Sequence, residues 1–117
     1  MVEHSIQLVP EAEKDIKKLK IPNIEEDLSI FFQALPAMLE EKVFHTSHKI
    51  FKVANLGSGI TGEVYIAKKI HCEFQKSNDK LRVVFQVNGT QMRIIEIYSK
   101  SNKEIEDVAR IHKYCRK

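Results

Sequence analysis

Ile6 and Leu8 alternate with Gln7 at the start of the chain, which predicts a short strand over Ser5–Val9. Pro10 then suits the first turn of a helix, where its missing N–H costs nothing. Ala12, Ile16 and Leu19 fall on one helical stripe, with Glu11 and Glu13 early and Lys17, Lys18 and Lys20 late, as the helix dipole favours. Pro22 closes this helix, and Asn23 with Glu26 forms a capping box for the next. Ile24, Leu28, Phe31, Phe32, Leu35 and Leu39 give that second helix a wide apolar face, with a kink or break expected at Pro36. So short a link predicts an antiparallel helical hairpin.

Beyond Lys42 the period changes from helical to alternating. His48 to Leu56 and Glu63 to Glu73 read as strands separated by a glycine-containing loop, Gly57-Ser58-Gly59. In the second, Val64, Ile66, Ile70 and Cys72 share one face and Tyr65, Lys69 and His71 the other. A turn follows over Gln75–Asp79. Leu81, Val83, Phe85 and Val87 mark the clearest strand, Asn88-Gly89 a two-residue hairpin turn, and Gln91 to Tyr98 its return strand. Ser101 and Glu104 cap a last helix buried through Ile105, Val108, Ile111 and Cys115. The order predicts one α+β domain over residues 1–117: an N-terminal strand and helical hairpin packed on an antiparallel sheet of three to four further strands, then a C-terminal helix.

Length agrees with a single domain, at 117 residues, and 43% hydrophobic with 30% charged is a globular balance. No apolar run reaches the roughly 18–20 residues that span a bilayer. With no basic leader or apolar segment at Met1-Val2-Glu3-His4, a cytoplasmic protein is expected. Cys72 and Cys115 are too few for a disulfide framework and read as reduced, buried side chains. His45 and His48 lack further ligands at metal-site spacing, so no metal and no cofactor are expected.

Charge is unevenly spread. Seven Lys/Arg face nine Asp/Glu up to residue 61, against twelve and seven from residue 62 onward. A turn at Asn88-Gly89 would pair Phe85 with Met92 and Val83 with Ile94 on the core side. Arg82 would then stand opposite Ile95, and Val84 opposite Arg93, on the other side. Two guanidiniums beside Lys69, Tyr65 and His71 would suit a phosphate backbone, and equally a polar face left in water. Strict alternation gives Glu96, Tyr98 and Lys100 the parity of the core face; a bulge or the strand's end would turn them outward.

The segment Leu81-Arg82-Val83-Val84-Phe85-Gln86-Val87, followed by Arg93 to Glu104 with its Tyr98-Ser99-Lys100 and Lys103-Glu104, resembles the C-terminal half of RelE/ParE-superfamily toxins. Asp107 and Arg110-Ile111 extend the likeness into the last helix. The sequence resemblance covers residues 62–111; residues 1–61 are similar in architecture alone. It implies a RelE-like fold and the toxin of a type II toxin–antitoxin system. The activity implied is that of a ribosome-dependent mRNA endonuclease (an mRNA interferase). A ribose 2′-OH attacks the adjacent phosphate in line, without metal. Partners implied are a cognate antitoxin in a hetero-oligomer, the ribosome and mRNA. By the same resemblance Arg82, Lys68, Tyr98 and Lys100 are the catalytic candidates and Lys69, Arg93 and Lys103 the RNA-binding ones, with Arg82 stabilising the phosphorane-like transition state. Ile66 stands where many relatives carry a basic residue. His112 and Tyr114 are candidates for the proton acceptor. The alternatives are a ParE-like, non-catalytic DNA gyrase inhibitor and a catalytically silent binding module on the same scaffold.

Overall fold

The computed structural model describes residues 5–19, 24–41, 50–53, 56–68, 70–72, 76–78, 81–99 and 106–116. Strand β1 (Ser5–Leu8) leads directly into α1 (Pro10–Leu19), and α2 (Ile24–Glu41) follows. Then come β2 (Ile50–Lys52), β3 (Glu63–Ala67), β4 (Ile70–Cys72), β5 (Lys76–Asn78), β6 (Leu81–Asn88), β7 (Gln91–Ser99) and α3 (Val108–Cys115). The fold is α+β. Its five-stranded sheet has the order β1-β7-β6-β3-β2, and β4 pairs with β5 as a separate ribbon. No helix among the described residues is long and apolar enough to cross a membrane.

The sheet is mixed rather than antiparallel throughout, because β1 runs parallel to β7. Val9 extends that pairing by donating its N–H to the Ile94 carbonyl, 3.1 Å, just before Pro10 turns the chain into α1. The α2 helix runs through Pro36 without a break. Leu35 and Met38, on either side of the proline, are both buried in the core, and such packing outweighs one lost backbone bond.

The strand expected over Glu63–Glu73 is two strands. Ala67 pairs with Val83 on β6, and β6 begins at Leu81, so a chain continuing beyond residue 69 has no partner left in the main sheet. Ile70–Cys72 instead pairs with Lys76–Asn78, within the stretch expected to be a turn. The last helix starts later than its Ser101 signal: Asp107 is the observed N-cap and accepts from the Arg110 N–H at 3.0 Å. Ser101 and Glu104 lie outside the described residues, as do Asn23, His45 and His48.

The β6–β7 register also differs. Asn88 pairs with Gln91, so Gly89 and Thr90 form the turn, with Gly89 at φ +63°. Phe85 pairs with Ile94 but Val84 pairs with Glu96, leaving Ile95 as an extra residue in a bulge.

Helices cover both sides of the sheet. Ile6, which pairs with Met92, lines a groove with Ile16, Leu28 and Phe32, so the α1–α2 hairpin lies on that face. The opposite face carries Gln86, Arg93 and Glu96, and α3 sits there: Arg93 donates to the Tyr114 carbonyl, and Glu96 accepts from the Asp107 N–H at 2.8 Å. Ile111 and Cys115 anchor α3 in the core, and burial pushes the Cys115 thiol pKa up despite the nearby Arg93. The two layers meet around the β7 edge. There Asp15 of α1 accepts from the Ile97 N–H at 3.0 Å and pairs with Arg110 of α3 at 2.6 Å.

Candidate functional site

The face that carries α3 is only partly covered by it. Side chains of directly paired residues project to the same side, so the pairs Ile66–Val84, Val84–Glu96 and Arg82–Tyr98 place all five of those residues on this face. Phe51 joins them through its pairing with Ile66. Lys68, one residue past Ala67, continues the alternation of Val64 and Ile66 onto the same side. The Arg93 end lies beneath α3. At the far end, Phe51 and Lys68 are exposed and Arg82 is half-buried.

Three contacts organise that far end. Arg82 donates from one terminal nitrogen to the Lys68 carbonyl at 2.5 Å, tying β6 to the residue where β3 ends. The Lys68 ammonium lies over the Phe51 ring, 5.2 Å from its centroid, a cation–π distance. Arg82 faces Tyr98 across the strand pair. The bulge at Ile95 makes this last relation possible, by shifting Glu96 and Tyr98 from the parity of the hairpin side to that of Arg82.

Tyr98 is 6% exposed. Burial pushes its phenol up to about 12, the carboxylates of Glu106 and Glu96 add to the effect, and the Arg82 guanidinium opposes it. The group therefore stays protonated at neutral pH, a form that can donate a hydrogen bond but cannot take up a proton as a base.

Not every residue singled out in the sequence joins this cluster. Arg93 is directed to α3: its Nε donates to Gln86 Oε1 at 3.0 Å, and a terminal nitrogen donates to the Tyr114 carbonyl. Its partner across the strands is Gln86, not Val84. It holds the last helix on the sheet. Tyr65 is on the hairpin face, stacked on Phe85 at 5.6 Å and donating to Glu63, which removes it from the cationic surface. The misassignment has a plain cause: both sheet faces are largely covered, so Val64 and Ile66 are apolar although they lie on the Arg82 side. Tyr114 donates to Glu11 at 3.0 Å, away from Arg82, and His112 lies half-buried on α3. Lys69, Lys100 and Lys103 lie outside the described residues.

Phe51 and Glu106 were not legible as site residues in the sequence. The available signal for Phe51 was its adjacency to Ile50: two consecutive apolar residues in a strand point to opposite faces, and Ile50 takes the buried one. Glu106 carried no signal, because its approach to Tyr98 depends on where α3 docks.

A concave feature lies on the other side of the sheet. The groove between α1, α2 and β1 has a volume of about 500 Å³, with Ile6, Ile16, Leu28, Phe32 and Pro36 in its walls and Glu13, Lys17 and Glu25 among its polar groups. Phe31, by contrast, is buried in the core, with its ring 5.8 Å from that of Phe32.

Comparison of the chain with protein-family models, with curated proteins and with solved structures finds no match.

Proposed function

We propose that this protein is the toxin of a type II toxin–antitoxin system and cleaves ribosome-bound mRNA without a metal ion. The observation that carries the reading is that Arg82 of β6, Tyr98 of β7 and Lys68 just past the end of β3 share one partly open end of a sheet face. Those are three of the residues that the RelE/ParE resemblance marks as catalytic; the fourth, Lys100, follows β7 directly in the sequence.

In the proposed reaction a ribose 2′-hydroxyl releases its proton to water as its oxygen bonds to the adjacent phosphorus. The bond from phosphorus to the 5′-oxygen of the next nucleotide breaks, and that oxygen takes up a proton from water. The products are a 2′,3′-cyclic phosphate and a 5′-hydroxyl end. Negative charge accumulates on the non-bridging oxygens in the transition state. A guanidinium held in place by a backbone carbonyl is suited to meet that charge, and the Lys68 ammonium adds a second cation. Tyr98, held in its neutral form, supplies a hydrogen-bond donor beside Arg82. The apolar groove between α1, α2 and β1 is the surface suited to an amphipathic segment of an antitoxin, with Phe32 as its aromatic wall.

The deciding experiment is cleavage of message on purified ribosomes. The wild-type chain is expected to cut within the coding region, and Arg82→Ala to slow the cut by about 100-fold or more while leaving the fold intact. Intact message with folded wild-type protein would overturn the nuclease reading. Inhibition of gyrase supercoiling by that same protein would then favour the ParE-like alternative.

A further inference from the structure

Phe51 has no part in the reaction just described, yet it lies on the same face as its cations. It is 41% exposed, on an edge strand, with the Lys68 ammonium 5.2 Å from its ring centroid. Lys68 is in turn tied through its carbonyl to Arg82. An aromatic plane, an ammonium and a guanidinium thus follow one another across β2, β3 and β6.

From this sequence of groups we infer that Phe51 is a nucleobase-stacking platform, holding the base next to the phosphate that Arg82 and Lys68 engage. The inference rests on the nuclease reading and adds to it a residue that fixes where along the strand the cut falls. The chemistry of the patch selects this occupant. A purely apolar partner covering Phe51 would also bury the ammonium above it without supplying an anion, which is costly. A nucleotide brings an aromatic face for the ring and a phosphate for the cations in one ligand. The ring also keeps Lys68 on the Arg82 side, so the two roles support each other.

The chain has no tryptophan, so Phe51→Trp introduces a single fluorescent reporter at the platform. A short adenine-rich single-stranded RNA is expected to quench that fluorescence, and an abasic ribose-phosphate oligomer of equal length to leave it unchanged. On ribosome-bound message, Phe51→Leu is expected to cut about tenfold more slowly, the order of magnitude of one lost stacking contact, and with weaker preference for particular bases at the cut. Phe51→Tyr and Phe51→Trp, which keep the aromatic plane, are expected to stay within about twofold of wild type. Circular dichroism and thermal melts confirm that each variant is folded. Unchanged rate and cut positions in Phe51→Leu overturn the platform while the nuclease reading stands. So does a slow Phe51→Leu whose defect the Tyr and Trp variants share. A wild-type protein that cuts no message removes both readings together.

Discussion

Arg82 on β6 stands directly across from Tyr98 on β7, and it does so because Ile95 has no partner on β6. Without that bulge, Tyr98 would take the parity of Ile94 and face the α1–α2 hairpin. The bulge is therefore part of the candidate site, since it sets which side chains share the face of Arg82. Arg82→Ala is expected to slow message cleavage by about 100-fold or more, the usual cost of losing one donor to a developing oxyanion. Arg82→Lys should recover only part of that, since an ammonium keeps the charge but not the planar fork. Single-turnover cleavage with each variant measures both.

Tyr98 and Tyr65 share a second consequence of burial. Both phenols are pushed up to about 12 from an ordinary 10, Tyr98 by burial and the nearby Glu106 and Glu96, Tyr65 by burial and its bond to Glu63. The unfolded chain releases these protons first, so between pH 10 and 12 it binds fewer protons than the folded chain. Stability is then fully retained below 10 and falls as pH rises toward 12. Urea midpoints over that range should decline, and the decline should be shallower in Tyr98→Phe. In the reaction, no pH–rate limb near neutrality is expected to disappear in Tyr98→Phe, because the phenol does not titrate there.

Arg110 is the bolt between the first and last helices. It contacts Asp15 at 2.6 Å and Glu11 at 3.1 Å, and donates to the Ile95 carbonyl at 3.2 Å. Its side chain is 14% exposed and that of Asp15 is 11% exposed. Arg110→Ala is expected to cost about 3 kcal/mol, because it leaves a nearly buried carboxylate without its cation. Lys113 also reaches Glu11, at 2.6 Å, but is 63% exposed, and Lys113→Ala should shift the urea midpoint far less than Arg110→Ala. Urea denaturation of the two variants side by side tests the contrast.

Gly62 is fixed by its surroundings. It sits at φ +68°, and a Cβ there would run into the Val87 carbonyl oxygen. The loop before it is pinned as well: the Thr61 N–H donates to the Cys115 carbonyl at 2.7 Å, and Gln86 donates to the Thr61 carbonyl at 2.5 Å. The glycine-containing loop marked in the sequence is, at this end, a clasp between β3, β6 and the end of α3. Gly62→Ala should destabilise by about 2–3 kcal/mol, from backbone strain plus the clash. Gly59→Ala, at φ +90° with open space around it, should cost about 1 kcal/mol. A shift of the urea midpoint with unchanged slope is the expected signature.

Local pattern alone determined the helical stripe of Ala12 and Ile16 and the alternation from Leu81 to Val87, because neighbours within one element set those features. It also placed Arg82 off the α1–α2 face, whereas Lys68 and Tyr98 became candidates only through the RelE/ParE resemblance. What it left open, the tertiary structure decided. One extra residue at Ile95 reverses parity for everything after it, and alternation cannot reveal where a strand skips a partner. The docking of α3 turned Arg93 from an outward cation into an internal tie, and the covering of both sheet faces put Ile66 and Tyr65 on the sides opposite to those expected. Side-chain direction in a strand is a local property. Which direction is open to solvent depends on elements distant in sequence, and here that difference separates a basic strand from a candidate site.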